Sequence, residues 1–565
     1  MGVRRAVDMV LDASNVENGN VYTYGPLIHN PQVLKILAEK NIHVLNSIPQ
    51  KGNGTVLIRA HGVPPDEKRG LIESGFNVID ATCPRVIKVQ KIIQKYSKQG
   101  YSTIIIGDKN HPEVKGLLGY AMPDGYSVAN LEEFKKLNIF EKAILVAQTT
   151  QNKDIFELIS DYINNTFPNY KIFNTICDST SKRQEEVKQI SKSVDAVVVV
   201  GGYNSGNTQR LAEIVHAQNI TGYHIETDDD IDSEKISNAK AIGITAGAST
   251  PNWIIRRVYN AIESISKQKK GNLKNIFFTM HQLLMLTNIF VAIGAFCLSY
   301  TCMVLTGIQP VLKLAFMAFL YVLSMHTLNH LISRKSEMYN YPNRAAFYQK
   351  NKILLTIMAF SAGFCGLIIA FYHGIITLII ILSMSILGLS YKLVIIPEIF
   401  IKKTKYRSLQ DIPGSKTILI SLAWGIVTTI LPYIAITGKF LPSTFIVFLW
   451  SSCLVFVRTA FFEIIDMQGD RIIGRETIPL LLGEKQTIKL LKYILLFIIF
   501  LSFISYLIGF TDILSLIMNI CVVYIALVLI ANEKNLMFQS IRSEFLIESN
   551  FILSGLITFC YYYIK

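Results

Sequence analysis

Apolar stretches long enough to cross a membrane recur throughout the second half of the chain. A transmembrane helix needs about 20 consecutive apolar residues, because it must span about 30 Å of hydrocarbon. Buried helices of a globular protein do not repeat such lengths nine times, which excludes a wholly soluble fold. The pattern therefore predicts an all-α, polytopic membrane domain with nine transmembrane helices: 277–304, 310–331, 352–372, 374–393, 416–436, 442–462, 487–508, 511–531 and 545–564.

The region 1–268 has a different pattern, in which charged residues are frequent and apolar runs are short. Runs rich in β-branched residues alternate with amphipathic helical patterns, which is typical of α/β units with parallel strands. A basic linker, 269–276, separates this region from the membrane domain, 277–565. The predicted strands are 21–24, 55–58, 78–79, 103–106, 143–146, 196–200 and 241–245.

The formal net charge of +14 would suit a nucleic-acid-binding protein. The soluble half, however, has no basic tract interleaved with aromatic residues, and the Lys and Arg excess lies in alternate loops of the membrane domain. We therefore expect membrane lipid and no nucleic acid as a partner. The positive-inside rule predicts that the soluble half of this multi-pass membrane protein lies in the cytoplasm. We expect the membrane to be a bacterial inner membrane. The basic loops are 332–351, 394–415, 466–488 and 532–544.

Small polar clusters directly follow several predicted strands. Ligands of open parallel sheets bind beyond the carboxyl ends of the strands, and glycines or helix N-termini there expose backbone N–H groups to an anion. Glu113, two residues after His111, is suited to proton donation in such a pocket. The side chains that would suit a diphosphate are His29, His61, His111, Ser205, Asn207 and Ser249.

Only two of the eight cysteines, Cys83 and Cys177, precede the membrane domain. Cys83 lies where an apolar run ends and a helical pattern begins at Pro84, so the helix dipole would stabilise its thiolate. This favours a soft metal or an iron–sulfur centre, whereas a small buried residue in a strand–helix turn is the alternative. The spacings do not resemble a secreted disulfide framework, which indicates a reducing compartment.

Taken together and in order, these segments resemble the 4-hydroxy-3-methylbut-2-enyl diphosphate reductases, the LytB/IspH family, over about residues 1–268. The resemblance implies a three-lobed, pseudo-threefold α/β fold around a central iron–sulfur cluster of the 4Fe-4S type. It also implies reductive removal of a hydroxyl group, which gives isopentenyl and dimethylallyl diphosphates. The motifs are Arg59-Ala-His-Gly-Val, Asp80-Ala-Thr-Cys-Pro, His111-Pro-Glu-Val, Gln148-Thr-Thr, Gly202-x-Asn-Ser-x-Asn-Thr and Thr245-Ala-Gly-Ala-Ser.

The resemblance carries roles for individual residues. Cys83 and Cys177 would ligate the cluster, and electrons would come from an external donor of the ferredoxin or flavodoxin type. Glu113 would supply protons, with His111 and Thr149 beside the substrate hydroxyl. The diphosphate would be held by His29, His61, Ser205, Gly206, Asn207 and Ser249.

Two positions depart from the family pattern. Gly206 stands where the family usually has a second Ser, although its backbone N–H can still contact phosphate. The family takes a third cluster thiolate from a Phe-Cys-x-Gly-Val segment, and here Met1 occupies the x position. Because the first residues read as a helix already under way, we expect a start site assigned too late. A soluble lobe that has lost catalysis is the alternative.

Carboxylates cluster at the end of the sixth predicted span. Glu463, Asp466 and Asp470 fall at i, i+3 and i+7 on one helical face, where they would repel each other unless a cation joins them. Mg²⁺ prefers a few carboxylates together with phosphate oxygens and water. Carboxylates at the membrane edge are candidates for function, and a solvated acidic helix end is the alternative.

This segment resembles the second Asp-rich motif of the UbiA-type prenyltransferases, and the likeness covers 277–565. In the first motif, after the second span, Asn329 is kept and Glu337 replaces the last aspartate, whereas His330 and Ser333 replace the other two aspartates. The resemblance implies Mg²⁺-dependent transfer from isoprenyl diphosphates. By their charge, Arg344 and the basic 402–407 loop would help to neutralise the leaving diphosphate, and a plain positive-inside flank is the alternative explanation of that loop. The implied Mg²⁺ ligands are Glu463, Asp466, Asp470, Asn329 and Glu337.

The sequence thus predicts a bifunctional isoprenoid enzyme. The soluble half would reduce 4-hydroxy-3-methylbut-2-enyl diphosphate, and the membrane half would transfer a prenyl chain to a hydrophobic acceptor. Two alternatives stay open: a prenyltransferase with a non-catalytic soluble lobe, and a membrane half that only binds or anchors a lipid diphosphate.

Overall fold

The protein forms two compact units, Met1–Lys269 and Lys270–Lys565. The computed structural model describes residues 2–16, 20–28, 30–122, 124–268, 272–332, 334–391, 412, 414–534 and 541–564. His29, Ser333 and the 402–407 loop, which the sequence assigned to the sites, lie outside these residues, as do residues 269–271 of the predicted linker.

The described part of the first unit contains eleven strands, which form three separate sheets, and every pairing is parallel. The predicted α/β architecture with parallel strands is confirmed. The strands are β1 (Val21–Tyr24), β2 (Ile42–Leu45), β3 (Thr55–Ile58), β4 (Asn77–Asp80), β5 (Ser102–Ile106), β6 (Gly125–Val128), β7 (Ala143–Ala147), β8 (Lys171–Ile172), β9 (Ala196–Val200), β10 (Thr221–Ile225) and β11 (Ile242–Ala246).

The strand orders are β2-β1-β3-β4, β6-β5-β7-β8 and β10-β9-β11. In each sheet, the next strand along the chain pairs on one side of a middle strand, and the strand after that pairs on its other side. Such a reversal is a topological switch point, where the loops after two neighbouring strands leave a crevice for a ligand. The three sheets therefore offer three crevices, after β1 and β3, after β5 and β7, and after β9 and β11.

Helices cover these sheets, and several begin with proline, whose missing N–H costs nothing in the first turn. Pro84 begins α4 as expected. The helices of the first unit are α1 (Gly2–Val16), α2 (Pro31–Glu39), α3 (Pro65–Glu73), α4 (Pro84–Ser97), α5 (Pro112–Leu118), α6 (Leu131–Lys135), α7 (Lys153–Thr166), α8 (Asp178–Ser191), α9 (Gly206–Ala217), α10 (Ser233–Ser237) and α11 (Asn252–Gln268).

All the regular secondary structure among the described residues of the second unit is helical. A short π-helical segment, Ile426–Ile430, joins α19 to α20. The helices are α12 (Asn272–Leu286), α13 (Ile289–Leu305), α14 (Leu312–Ile332), α15 (Arg334–Asn340), α16 (Pro342–Lys350), α17 (Lys352–Tyr372), α18 (Ile375–Ser390), α19 (Ser415–Gly425), α20 (Leu431–Thr437), α21 (Pro442–Ile473), α22 (Ile478–Leu482), α23 (Glu484–Leu507), α24 (Leu514–Ile517), α25 (Asn519–Glu533) and α26 (Ile541–Ile564).

The prediction of nine spans is wrong as a count over the described residues, which contain seven candidate spans, or eight when a bent pair counts as one. The predicted span 277–304 is broken at Asn288, which is left-handed, and its two parts are bent by 72°. The predicted span 374–393 contains α18, whose 16 residues reach only about 24 Å at 1.5 Å per residue.

The central helix of this unit is α21, which has 32 residues and ends at Gly474 with a left-handed φ of +82°. At 1.5 Å per residue it is about 48 Å long, well beyond the roughly 30 Å of a hydrocarbon core. Its middle packs in the apolar core through Leu454 and Phe461, which are fully buried. Its last turns carry the predicted carboxylates to the end of the helix bundle.

Candidate functional site

Glu113 lies in the first turn of α5 and is only 2% exposed. Its carboxylate accepts two hydrogen bonds from Thr149, from N–H to Oε1 at 2.6 Å and from Oγ1 to Oε2 at 2.9 Å. The backbone N–H of Glu113 donates to His111 Nδ1 at 3.1 Å, so His111 caps the helix. The parallel pairing of β5 with β7 brings these three predicted residues together.

Burial raises the pKa of Glu113 from its ordinary value of 4.5 to about 7, and the two hydrogen bonds from Thr149 only partly oppose this rise. Loss of hydration destabilises the charged carboxylate by more than the two hydrogen bonds stabilise it. A carboxyl group whose pKa lies near neutral pH gives up a proton readily and is readily protonated again. The geometry therefore suits Glu113 to proton delivery.

Cys83 and Cys177 occupy equivalent places, since each is the N-cap of a helix, α4 and α8 respectively, and neither side chain makes a capping hydrogen bond. Both thiols are free and half-buried. An ion pair between Arg85 and Asp178 joins the first turns of these two helices. Two thiols at adjoining helix N-termini form a soft donor set of the kind that ligates iron–sulfur clusters, and these two would be two of its ligands.

Backbone hydrogen bonds attach each cysteine to the rest of the candidate site. Cys83 N–H donates to the carbonyl of Ala60, next to His61, and Cys177 N–H donates to the carbonyl of Thr149, both at 2.9 Å. Gly2, at the start of α1, also lies against Cys83, because an added Cβ there would collide with its Sγ. The cysteines are thus held beside the groups expected to contact substrate.

Loops from all three sheets meet at His111. The His61 and His111 rings lie edge to face with centroids 5.3 Å apart, and a Cβ on Gly206 would be 3.7 Å from His111 Nε2. Gly62, directly after His61, has a φ of +75° and would place a Cβ 2.7 Å from Gln90 Nε2, so this turn requires glycine. The three crevices therefore converge on one place.

The third sheet contributes hydroxyl and amide groups. Ser205 Oγ and Ser249 Oγ, which follow β9 and β11, lie 3.3 Å apart. Asn207 is 7% exposed, and neither its Oδ1 nor its Nδ2 has a hydrogen-bond partner among the described residues. A buried amide without partners is costly unless a ligand completes it. With the N-terminus of α9 beside it, this cluster suits an anionic group such as phosphate.

The second unit contains a cavity of about 240 Å³ beside the last turns of α21. Asp466 lines this cavity, as do Asn329 and Glu337 of the first motif. Cationic side chains line it as well, including Lys416 and Arg475. The cavity thus combines oxygen ligands with positive charges, which suits a diphosphate bound with Mg²⁺.

His330 replaces an aspartate of the family pattern and forms an ion pair with Glu337, from Nδ1 to Oε1 at 2.8 Å. Although burial raises the pKa of Glu337, the positive charges of His330, Arg344 and Lys416 outweigh it and lower the pKa to about 2. Glu337 Oε2 is buried without a hydrogen-bond partner among the described residues. This oxygen fits a hard cation such as Mg²⁺.

The other two predicted carboxylates are engaged elsewhere. Glu463 accepts from Thr417 Oγ1 at 2.6 Å and from the N–H of Ile478 at 3.3 Å. Asp470 lies 3.6 Å from Arg475 and accepts from Asn340 Nδ2 at 3.4 Å. Within the described ranges, no three His, Cys, Asp or Glu side chains lie close enough to form a complete metal site.

Several residues of the candidate sites were not predicted from the sequence. Arg85 and Asp178 join the two cysteine helices, and the available signal was that each lies one or two residues after a candidate ligand. In the second unit, Lys416 had no motif to mark it. Two carboxylates of α26 were also missed. The available signal was that Glu548 is a charged residue within the predicted apolar span 545–564, next to which Glu544 lies.

Comparison with known proteins divides the chain in the same way. Residues 1–263 match the family described as LytB protein, and residues 285–540 match the UbiA prenyltransferase family. The 4-hydroxy-3-methylbut-2-enyl diphosphate reductase of Geobacter sulfurreducens is 40% identical over 273 residues, which are 48% of this chain and 95% of that protein. The enzyme of the same name from Aquifex aeolicus is 42% identical over 269 residues, 47% of this chain and 92% of that protein.

The second unit is similar to a solved structure described as a UbiA homolog from Archaeoglobus fulgidus bound to GPP and Mg²⁺. The two share 14% sequence identity with a TM-score of 0.36, over 48% of this chain and 97% of that chain.

The buried state of Glu113 predicts a pH-dependent stability. A carboxyl whose folded pKa is raised contributes stability below pH 4.5 that is lost as the pH rises through about 7, and this change corresponds to about 3 kcal/mol. Glu113→Gln keeps an acceptor for the Thr149 N–H and removes the titration. We expect it to raise the free energy of unfolding of the first unit, relative to wild type, at pH 8 but not at pH 4.5.

Urea titration of the full chain in detergent, read by proteolysis of the first unit, measures this difference. Glu132→Gln, at an exposed position of α6, is the control and should behave as wild type at both values of pH. If Glu113→Gln changed the free energy of unfolding equally at pH 8 and pH 4.5, the result would contradict a raised pKa for Glu113.

Proposed function

The chain belongs to the LytB family of 4-hydroxy-3-methylbut-2-enyl diphosphate reductases and carries a UbiA prenyltransferase domain, and from this we propose that both domains are active in isoprenoid synthesis. The first unit would remove the hydroxyl group of 4-hydroxy-3-methylbut-2-enyl diphosphate to give isopentenyl and dimethylallyl diphosphates. The second unit would transfer a prenyl chain from its diphosphate to a hydrophobic acceptor.

In the reductive step, the C–O bond to the hydroxyl group breaks, and two electrons and two protons convert the substrate into product and water. Glu113 delivers a proton, held in place by the two hydrogen bonds from Thr149. His111 lies beside Glu113 and would orient the substrate hydroxyl. A cluster held by Cys83 and Cys177 would supply the electrons, replenished by a ferredoxin- or flavodoxin-type donor.

The diphosphate would occupy the convergence of the three crevices. Asn207 would donate its amide, and Ser205 and Ser249 their hydroxyls, and the backbone N–H of Gly206 at the start of α9 would also donate to the phosphate. His61, together with His29, would complete the binding of the negative charge. The orphaned amide of Asn207 supports this placement, because it is buried with no hydrogen bond among the described residues.

In the membrane unit, Mg²⁺ would be held by Asp466 and Glu337 with Asn329. Mg²⁺ is commonly bound through one or two carboxylates plus substrate phosphates and not by a complete protein cage. The diphosphate would therefore complete the metal site, and Lys416 and Arg475 would stabilise the charge of the leaving group. The basic loops support a cytoplasmic position for the first unit and for these carboxylates.

The observation that carries the reductase proposal is the environment of Glu113. Its carboxyl group is buried, it is hydrogen-bonded to Thr149, and burial raises its pKa. We expect Glu113→Gln to lower kcat for reduction of 4-hydroxy-3-methylbut-2-enyl diphosphate at least about a hundredfold, because general acid catalysis contributes on that order. Anaerobic assays of the full chain with a reduced viologen dye measure the effect. Glu132→Gln should keep wild-type activity, and unchanged turnover in Glu113→Gln would contradict the proton-delivery role.

Cluster binding predicts a second outcome. After anaerobic reconstitution with iron and sulfide, wild-type protein should contain iron and acid-labile sulfide and absorb visible light. Cys83→Ser and Cys177→Ser should each lower both contents and the absorbance, since thiolates hold such clusters. Cys365→Ser, exposed on α17, is the matched control. Iron and sulfide contents that the first two substitutions leave unchanged would remove these cysteines as ligands.

The cavity in the second unit predicts that Asp466→Asn lowers the affinity for geranyl diphosphate in the presence of Mg²⁺ at least about tenfold, because a charged metal ligand is lost. Calorimetric titration of the purified chain with and without Mg²⁺ measures this. Asp512→Asn, at the exposed turn before α24, is the control. An equal loss in both variants would contradict a metal role, and Mg²⁺-dependent binding without transfer to any acceptor would favour the lipid-diphosphate-binding alternative.

A further inference from the structure

A buried ion pair in the wall of the membrane-unit cavity has one oxygen left over. Arg458, on α21, is 7% exposed, and Glu548, on α26, is 2% exposed. Arg458 Nε donates to Glu548 Oε1 at 3.0 Å, and Arg458 Nη2 contacts the same oxygen. Glu548 Oε2 is buried and has no hydrogen-bond partner among the described residues. Both residues line the cavity.

The arrangement differs from that of a pair that only packs. An arginine and a carboxylate that meet for stability usually form two parallel hydrogen bonds, one to each oxygen. Here both contacts go to Oε1, and Oε2 bears the cost of burial without a donor. Glu544, one turn earlier on α26, pairs with Arg344 and leaves no such orphaned carboxylate oxygen within the described residues.

The surroundings hold Glu548 in this orientation. The Arg458 guanidinium lies 5.5 Å from the centre of the Trp424 ring and 5.0 Å from that of Phe462, so it is fixed between two aromatic faces. A rigid guanidinium fixes the carboxylate it binds. Oε2 is therefore a preorganised acceptor that lacks its donor.

The charges around this oxygen select the donor. Beside it on α26, the Arg458–Glu548 and Arg344–Glu544 ion pairs balance each other's charges, so neither sign is left in excess there to favour a charged ligand. A neutral O–H group suits this balance. The adjoining wall is apolar, with Met285 and Val291 among its residues, and suits the body of a lipid.

We propose that Glu548 is the acceptor-binding and catalytic base of the membrane unit, and that the acceptor is a neutral lipid or phenol that presents a hydroxyl group. This inference rests on the proposed prenyl transfer. The C–O bond between the prenyl group and its diphosphate breaks, and the diphosphate leaves with the bonding electrons. The acceptor oxygen forms the new bond to the prenyl carbon, and its proton passes to Glu548 Oε2.

A pair of probes tests the hydroxyl site without relying on turnover. Long-chain 1-hexadecanol and its methyl ether differ in one O–H group, and their affinities for the full chain in lipid nanodiscs can be compared by calorimetry. A hydrogen bond to a charged acceptor corresponds to about a tenfold to hundredfold preference for the alcohol. Equal affinities of the two probes for the wild type would overturn the proposal.

Variants connect the preference to Glu548. Arg458→Met combined with Glu548→Leu removes the whole pair, so neither charge is left alone, and should abolish the preference. Glu548→Gln should lower transfer at least about a hundredfold while its affinity for geranyl diphosphate with Mg²⁺ stays unchanged. Glu533→Gln, on α25 in an exposed pair with Lys492, is the matched control for both measurements.

The outcomes separate this inference from the proposed transfer. A preference that the double variant retains, or transfer that Glu548→Gln retains, would overturn the role of Glu548 and leave prenyl transfer standing. A Glu548-dependent preference in a wild-type protein that transfers no prenyl group would instead remove the transfer proposal and support the hydroxyl-binding site.

Discussion

Parallel pairing around three switch points is the constraint on which the soluble site depends. Each sheet sends the chain to one side of a middle strand and then to the other, so two adjacent carboxyl ends open a crevice. His61 comes from the first sheet, Glu113 and Thr149 from the second, and Ser205 and Ser249 from the third. All of them follow a strand and none lies within one. Buried strands therefore fix the positions, and the loops carry the chemistry.

The strands that could be predicted are mainly the central ones. Ala196–Val200 is a buried β-branched run, and its bounds were predicted without error. The missed strands β2, β6, β8 and β10 all lie at sheet edges, and most of their residues are partly or fully exposed, so the apolar signal is diluted. The number of spans was overestimated for a related reason. Hydropathy measures the apolar length of a segment, whereas the bend of 72° at Asn288 is a backbone event that hydropathy does not record.

The candidate sites were predictable as far as motifs and spacing reach. Spacing placed Glu463, Asp466 and Asp470 on one face of α21. A shared face, however, does not say which partners each carboxylate meets. What each carboxylate does depends on the elements packed opposite it: Thr417 and Ile478 engage Glu463, and Arg475 engages Asp470. The raised pKa of Glu113 likewise results from burial by segments distant in sequence, so no local sequence pattern predicts it. Partners across the fold decide function, and one sequence does not display them.

A buried ion pair is weak evidence for stability, because apolar residues of the same volume often do as well or better. The argument against a purely stabilising role is stronger in a membrane, because a charged residue within a span is costly and is a candidate for function. Arg458 and Glu548 carry that cost and also leave Oε2 unsatisfied, which a purely structural pair would avoid by using both oxygens. In the proposed site, the hydroxyl group of a bound acceptor would compensate this additional cost. The pair is therefore better explained as a binding site completed by its ligand than as a brace between α21 and α26.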